Sequence, residues 1–392
     1  MTSLDELAAP HLARLLDDLR ARGAGDRVVE AMAATPRHRF VDHFWTEEGE
    51  WRLHADVHAD QRRDHLERAL QLVYSTERAM GLEPPRDRGP TRTTASAPAI
   101  VAAMLRLLEL QGGERVLEIG AGSGWNASLI AHLAGDAGAV TTIDLDADLV
   151  ERAAARLRGH GLGNVECRAG DGFAGAADRA PFDRIVATAG CHDLSPAWVE
   201  QLASGGFALI PLHHAGIHPL VRVERGDGDT PVGRIVGRSA FVHMRGESAW
   251  RGPWLAPGRT GPRDDVRKGA IPADVAEAVD GRTWDLSFVL SLTDRRAAHL
   301  MTLNDGEGST AIMSAATAEL MWSGPEGEAL ADALLAHARA WIDAGRPSTA
   351  DFTITFEPVA SAPVAGGGRD PQANTWVIER PWYREVVARV DG

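Results

Sequence analysis

Lysine is almost missing from this chain of 392 residues. Lys268 is the only one, so nearly all of the 41 Lys and Arg residues are arginines. A single lysine outside any glycine-rich turn excludes a Gly-Lys-Ser/Thr phosphate-binding loop and leaves little room for Schiff-base catalysis. Acidic residues also outnumber basic ones, since 55 Asp and Glu residues give a net charge of −14. Since nucleic-acid backbones are bound by surplus Lys and Arg, we expect no nucleic-acid partner.

Cysteine and long apolar runs are scarce as well. Cys167 and Cys191 are the only cysteines, too few for a disulfide framework or a cysteine-rich zinc site. No run of about 18 apolar residues occurs, and the N-terminus has no basic region followed by an apolar one. These absences predict a cytoplasmic protein with no membrane partner. The hydrophobic fraction of 44% is ordinary, and the length predicts two or three domains.

An apolar run that breaks into three alternate glycines is the most informative stretch. Val116 to Ile119 reads as a buried strand, Gly120 to Gly124 as a turn, and Asn126 to Leu133 as a helix. Glycine lets such a turn adopt positive φ and approach a ligand closely. Glu118 would repel a pyrophosphate, but it can accept hydrogen bonds from the amino group of a cationic ligand. The motif therefore favours S-adenosylmethionine over NAD.

Two further acids follow the next two predicted strands. The strand Ala139 to Asp144 ends in a carboxylate about 20 residues past the glycines, where such folds bind ribose hydroxyls. A strand from Asn164 to Arg168 leads to Asp171, which is placed to accept from an adenine amino group. The predicted cofactor-binding residues are Glu118, Gly120, Ala121, Gly122, Ser123, Gly124, Asp144, Leu145, Asp171 and Gly172.

The pattern along the chain predicts an α/β fold with additions at both ends. Amphipathic helices over Leu4 to Arg22 and Asp26 to Ala34 precede a polar, partly helical insertion. Alternating strands and helices then predict a mostly parallel, doubly wound, Rossmann-like sheet, followed by an additional α+β domain. The predicted segments are 1–90 for the N-terminal helices and insertion, 91–225 for the cofactor-binding core, and 226–392 for the C-terminal domain, which we expect to recognise a peptide substrate.

Within these segments several elements are predicted from local pattern. Gly205 and Gly206 are expected to break the chain between the helix Pro196 to Leu202 and a strand starting at Phe207. The stretch Arg234 to Met244 alternates like edge strands. In the C-terminal domain the predictions are strands over Thr283 to Leu292, Ala311 to Trp322, Phe352 to Glu357 and, last, Trp376 to Glu379, with a helix over Glu326 to Ala344.

Some residues allow two interpretations. His54 and His58 lie one helical turn apart and could ligate a metal, but alternating His and Asp is typical of a solvated helix face, so we predict no metal site. Trp250 and Trp254 could form a peptide-binding edge or pack between domains. The stretch Thr91 to Pro98 could cap a helix or carry catalytic residues.

At this point the motifs resemble the protein L-isoaspartyl O-methyltransferase family over roughly Leu12 to Leu212. The residues that carry the resemblance are Thr35 to Val41, Thr94 to Pro98, Val116 to Gly124, Asp144, Gly170 to Gly172, Pro181 to Asp183 and Gly205 to Pro211. The resemblance implies S-adenosylmethionine as cofactor and Ser96 as the active-site serine. Thr93, Thr94, Ala97 and His192 are the predicted substrate contacts.

The sequence departs from that family in two places. The family's Pro-Leu-Pro-Ile-Gly-Tyr-Gly stretch is replaced by the insertion and Arg88 to Arg92, and the chain continues well past the sheet. This longer build resembles the branch that tailors ribosomally made peptides such as lanthipeptides and graspetides. It implies methylation of an aspartate in a crosslinked precursor peptide, whose ester closes to aspartimide. The alternatives are a repair enzyme for isoaspartyl proteins and a non-catalytic peptide-binding protein, and the oligomeric state stays open.

Overall fold

The computed structural model describes residues 3–53, 62–84, 93–249, 265–359, 369–370 and 374–390. The chain forms two compact units that are not contiguous in sequence. The first comprises Met1–Gly190, Ser195–Ile210 and Phe241–Ala249, and the second Cys191–Leu194, Pro211–Ala240 and Trp250–Gly392. These units divide the chain at other residues than the three predicted segments do.

The first unit contains the predicted N-terminal helices and the cofactor-type core. Its helices are α1 Leu4–Ala21, α2 Asp26–Ala34, α3 Arg62–Val73, α4 Pro98–Leu107, α5 Trp125–Ala134, α6 Ala147–Gly159 and α7 Pro196–Gln201. Its strands are β1 His43–Thr46, β2 Gly49–Arg52, β3 Met80–Gly81, β4 Thr94–Ala95, β5 Arg115–Ile119, β6 Ala139–Asp144, β7 Val165–Ala169, β8 Phe182–Ala187 and β9 Leu202–Pro211.

Five of these strands form a parallel sheet in the order β9-β8-β5-β6-β7. In the central strand, Leu117 pairs with Thr141 on one side and Ile185 on the other, and all three are buried. Strands covered on both faces require such apolar or β-branched runs, and helices connect them in sequence. The predicted α/β class with a mostly parallel sheet is therefore confirmed.

The predicted insertion contributes to a second, smaller sheet. Its order is β2-β1-β3-β4, with antiparallel pairing of β1 to β2 and β3. In β3 and β4, Met80 pairs with Ala95 and Gly81 with Thr94. The segment between Trp45 and Pro90 is thus partly helical, as predicted, but its strands also fix the stretch that leads to Ser96.

The second unit is an α+β structure, as predicted. Its helices are α8 Ala273–Val279, α9 Thr283–Thr293 and α10 Gly327–Asp343. Its strands are β10 His218–Arg225, β11 Pro231–Ser239, β12 Arg267–Ala270, β13 Ala297–His299, β14 Thr302–Asn304, β15 Thr310–Ser314, β16 Glu319–Ser323, β17 Phe352–Pro358, β18 Arg369–Asp370, β19 Thr375–Glu379 and β20 Tyr383–Arg389.

Two sheets organise this second unit. One runs β10-β11-β17-β20-β19-β18 with antiparallel neighbours, and the other runs β12-β16-β15-β14-β13. Apolar residues of the second sheet pack with the helices around a core that includes Val275, Leu290, Leu303, Leu334 and Trp341. Helix α10 begins and ends within one residue of its predicted bounds.

Four predictions of local structure are wrong. The stretch predicted as the strand Thr283 to Leu292 is helix α9, because a short apolar run carries no period that separates a strand from a buried helix. Gly205 and Gly206 do not break the chain but lie within β9. A Cβ at Gly206 would come within 2.9 Å of the Phe182 carbonyl oxygen, so glycine serves close strand approach there.

The third concerns the end of the second unit. Trp376 to Glu379 is not the last strand, since β20 follows and pairs with it. The fourth is the predicted strand Ala311 to Trp322, which is a hairpin of β15 and β16. The motif at His54 and His58 and the tryptophans at 250 and 254 lie outside the described residues. In the part of the chain that is described, no helix combines the length and apolarity needed to cross a bilayer.

A buried ion pair ties the C-terminal hairpin into the second unit. Glu385 on β20 is fully buried and pairs with Arg380, while its other oxygen lies 2.8 Å from His214 Nε2. Burial alone would raise the pKa of Glu385, but the charges of Arg380 and His214 hold it at about 2. The carboxylate therefore stays ionised, and removing it would leave the buried Arg380 charge uncompensated.

We expect Glu385→Gln to lower the free energy of unfolding by about 3–5 kcal/mol, because an unpaired buried guanidinium remains. Denaturant titration at neutral pH measures the change. The matched control is Glu357→Gln, which removes the half-exposed partner of Arg384 at 3.8 Å and is expected to cost less than about 1 kcal/mol. Equal losses in the two variants would contradict the importance of the buried pair.

Candidate functional site

The conformation of the glycine turn after β5 is determined by how closely its backbone approaches Thr188. Gly120 has φ of 104°, and a Cβ there would come 2.4 Å from the Thr188 hydroxyl oxygen. That hydroxyl donates to the carbonyls of Ile119 and Gly120, while the amide of Gly120 donates to the Ile143 carbonyl at 2.8 Å. Only glycine satisfies both the positive φ and the lack of space. The turn is thereby fixed against the carboxyl ends of β6 and β8.

Two carboxylates stand beside this turn at neighbouring strand ends, as the sequence predicts. Asp144 at the end of β6 accepts from the Gly122 amide at 3.0 Å. Asp171, after β7, accepts from the amides of Phe173 at 3.0 Å and Glu247 at 2.7 Å. Both carboxylates line one cavity. Ligands of open parallel sheets bind at this edge, so the position suits polar groups of a bound nucleoside.

The stretch containing Ser96 forms another wall of the same cavity. Strand β4 ends at Ala95, and α4 begins at Pro98 with Ala97 as its N-cap residue and no side-chain cap. Ser96 lines the cavity, and no described residue makes a hydrogen bond to its hydroxyl. The capping interpretation therefore does not account for Ser96, whose hydroxyl is available to a ligand.

The cavity has an open volume of about 970 Å³ and brings most of the predicted site residues together. The predicted residues that line it are Thr93, Thr94, Ser96, Gly120, Ala121, Gly122, Ser123, Asp144, Leu145, Asp171 and Gly172. Ala97, Glu118, Gly124 and His192 do not line it. Gly124 adopts φ of 86° at the start of α5, with Ala153 of α6 packed against it, so its role is in the turn itself.

Glu118 lies inside the core instead of at the cavity surface. It is fully buried, and its two carboxylate oxygens accept from Asn126 Nδ2 at 2.7 Å and from the Thr142 hydroxyl at 2.5 Å. Asn126 does line the cavity, so Glu118 reaches the site through that amide. Burial raises the pKa of Glu118 to about 7, although the two hydrogen bonds oppose the shift.

Sequence reasoning missed the segment Phe241 to Arg245, all of which lines the cavity. It is fixed by hydrogen bonds between Gly190 and both Val242 and Met244, at 2.8 and 2.9 Å. The Arg245 guanidinium lies 3.9 Å from a carboxylate oxygen of Asp144. The only signal was an alternating stretch that we interpreted as edge strands. The segment returns to the first unit after residues 211–240 of the second unit, and such a return is not encoded by any pattern within the segment itself.

Of three further ring side chains, His243 and Trp125 line the cavity and His192 does not. Burial lowers the pKa of His243, which favours its neutral imidazole. His192 belongs to the second unit, where it is buried and its carbonyl accepts from Arg380 at 2.7 Å. Trp125, at the start of α5, is buried and donates to the Thr35 carbonyl at 2.9 Å while also lining the cavity.

Comparison with known proteins agrees with this geometry. A family model described as protein-L-isoaspartate(D-aspartate) O-methyltransferase matches residues 11–249, more than half of the chain. The chain belongs to this family. S-adenosylmethionine, the cofactor that the resemblance implies, is the methyl donor in this family.

Individual relatives extend the comparison. Protein-L-isoaspartate O-methyltransferase 2 of Anaeromyxobacter sp. is 37% identical over 231 residues, covering 58% of this chain and 80% of its own. The O-methyltransferase of Methanothermobacter thermautotrophicus is 33% identical, covering 61% and 96%. A solved protein-L-isoaspartate O-methyltransferase has a TM-score of 0.52 at 20% identity, covering 88% of this chain and 96% of its own. That last likeness shows the fold alone.

The raised pKa of Glu118 predicts a pH dependence of stability. Between its ordinary value of 4.5 and about 7 the folded state holds a proton that the unfolded chain has lost. The free energy of unfolding therefore falls as the pH rises through that range. We expect Glu118→Gln to reduce this fall between pH 5 and pH 8, measured by denaturant titration. The exposed Glu151→Gln is the control, and an unchanged profile in Glu118→Gln would refute the assignment.

Proposed function

We propose that this chain transfers a methyl group from S-adenosylmethionine to an aspartate-derived carboxylate in a peptide. The observation that carries the proposal is that Ser96, the glycine turn and the two strand-end carboxylates line one cavity. The family supports O-methyl transfer as the reaction class.

The cavity residues fit the cofactor chemically. Asp144 would accept from the ribose hydroxyls and Asp171 from the adenine amino group, because both carboxylates follow neighbouring strands. Leu145, whose side chain is 40% exposed and lines the cavity, offers an apolar surface to the base. Asn126, held by Glu118, offers its amide oxygen to the cationic end of the ligand. When bound, S-adenosylmethionine supplies a methyl group on a positively charged sulfur, which keeps the electron pair of the broken bond.

Ser96 serves the acceptor and not the donor. An aspartate carboxylate, with an ordinary pKa of about 3.9, is ionised at neutral pH, so the reaction needs no general base. What the protein must supply is orientation, and a hydroxyl that donates to one carboxylate oxygen directs the other at the methyl group. No described residue is hydrogen-bonded to the Ser96 hydroxyl as a base, so the serine acts as a donor instead of a nucleophile.

For the acceptor we propose an aspartate of a ribosomally made, crosslinked precursor peptide of the lanthipeptide or graspetide kind. Two features support this choice: the family's segment before Thr94 is replaced, and the chain continues past the family match at residue 249. After methylation, the backbone nitrogen that follows the aspartate attacks the ester carbonyl. Methoxide leaves and takes up the amide proton as methanol, and the ring closes to aspartimide.

Repair of isoaspartyl proteins is the second candidate, and a specific observation favours it. The relatives that match are named protein-L-isoaspartate O-methyltransferases. The solved structure of that name covers 88% of this chain, which includes residues beyond the family match. A chain continuing past residue 249 is therefore compatible with both candidates.

The experiment that separates them is mass spectrometry of peptides incubated with the protein and S-adenosylmethionine. The peptides are a candidate lanthipeptide or graspetide precursor, the same precursor after crosslinking, and an isoaspartyl test peptide. We expect methyl gain followed by loss of methanol on the crosslinked precursor alone. Methylation of the isoaspartyl peptide instead would establish repair, and no methylation of any peptide would refute carboxyl methyl transfer.

Ser96→Ala tests the role of the hydroxyl. We expect kcat/KM for the peptide to fall about 10- to 100-fold, because a hydrogen bond to a charged group contributes about 1.5–3 kcal/mol. The dissociation constant of S-adenosylhomocysteine, measured by calorimetry, should stay unchanged. The control is Ser128→Ala, since the Ser128 hydroxyl donates to the Trp125 carbonyl inside α5 and lies away from the cavity lining. A fall in cofactor affinity without loss of kcat would contradict the proposed role.

A further inference from the structure

A fully buried arginine is hydrogen-bonded to the backbone of the cavity segment that contains Ser96. Arg37 lies in a short turn, Arg37–Arg39, just after α2, and its side chain is 0% exposed. One guanidinium nitrogen donates to the Val73 carbonyl at 2.6 Å. The other donates to the carbonyls of Ala95 at 3.2 Å and Ser96 at 2.7 Å. Three backbone carbonyls thus converge on one planar cation.

This charge lacks an acidic partner within the part of the chain that the structure describes. Among the described residues no carboxylate pairs with Arg37, and its guanidinium carbon lies 5.1 Å from the ring centre of Trp125. Burial lowers the pKa of Arg37 to about 9, so the side chain remains positive at neutral pH. A buried unpaired cation is costly, and only the convergent carbonyl dipoles and the ring face compensate for it.

The peptide that Arg37 holds is weakly fixed by other means. Strand β4 consists of Thr94 and Ala95 alone, so its pairing with β3 supplies only a short ladder. Ser96 follows this strand and precedes α4, with no side-chain cap to fix the junction. The part of the cavity lining that contains Trp125 depends on the same turn. Trp125 donates to the carbonyl of Thr35, two residues before Arg37.

We propose that Arg37 is a positioning residue that fixes the Ala95–Ser96 backbone and so directs the Ser96 hydroxyl into the cavity. The inference rests on the proposed function, in which that hydroxyl orients the acceptor carboxylate. The guanidinium fork matters because it reaches carbonyls from two elements, α3 and the end of β4. A displacement of about 1 Å at an orienting group is enough to lower a transfer rate severely.

The test compares Arg37 with Arg27, an exposed arginine in the same unit. Arg27, on α2, also donates to two backbone carbonyls, those of Leu110 and Leu133, but both lie away from the cavity lining. Arg37→Met and Arg27→Met remove the two cations, and Arg37→Lys retains the charge without the fork. The lysine variant serves the test if Arg37→Met does not fold.

Four readouts are measured on the full chain: deuterium exchange, kcat, cofactor-product affinity and melting temperature. We expect backbone amides of residues 94–97 to exchange with deuterium about 10-fold faster in the Arg37 variants but not in Arg27→Met. We expect kcat to fall about 10-fold or more in the Arg37 variants, with the dissociation constant of S-adenosylhomocysteine unchanged. Arg27→Met should lower the melting temperature while leaving kcat and the exchange of residues 94–97 unchanged.

Each outcome decides the inference separately from the proposed function. Wild-type exchange at residues 94–97 in both Arg37 variants would overturn the inference, whichever peptide is methylated. Faster exchange with unchanged kcat would also overturn it, because the backbone would then be held without orienting the reaction. If the wild-type protein methylates no peptide, the proposed function fails, while the exchange measurement still tests whether Arg37 fixes the segment.

Discussion

The whole cavity depends on how closely the backbone at Gly120 approaches Thr188. With no Cβ in the way, the Thr188 hydroxyl bonds the turn directly, and the turn lies against the end of β6. That contact sets where the Gly122 amide meets Asp144, and hence where a strand-end carboxylate faces the cavity. A side chain at this point would displace the backbone that all of these groups share.

Buried ionisable groups in this protein are stabilised in three different ways. Burial raises the pKa of Glu118 to about 7, although two hydrogen-bond donors face its carboxylate oxygens. Glu385 stays ionised because a guanidinium accompanies it into the interior. Arg37 keeps its charge against backbone carbonyl oxygens and the ring face of Trp125. The first and last are hydrogen-bonded to residues that line the cavity, Asn126 and Ser96, whereas the second holds a hairpin of the second unit.

Much of the site could be predicted from the sequence, because its residues lie in short motifs. Glycines at positive φ, acids at the ends of buried strands and the serine before a proline each carry a signal within a few residues. Contacts made at long range carry no such signal. The segment Phe241–Arg245 returns to the first unit after a separate pair of strands, and Glu118 turns inward because Asn126 and Thr142 converge on it. Helix α9 was missed because its apolar run is short and none of its residues is exposed, so no polar face marks a helical period.

The order in which the chain visits its two units limits how this protein can be divided. It passes from one unit to the other after residues 190, 194, 210, 240 and 249. Cutting the gene after residue 249 would therefore not separate the two units. Residues 211–240 would stay behind, and β11 would lose β17 and present a bare hydrogen-bonding edge. A cut at any single position after residue 190 and before residue 249 would likewise leave a piece of one unit attached to the other.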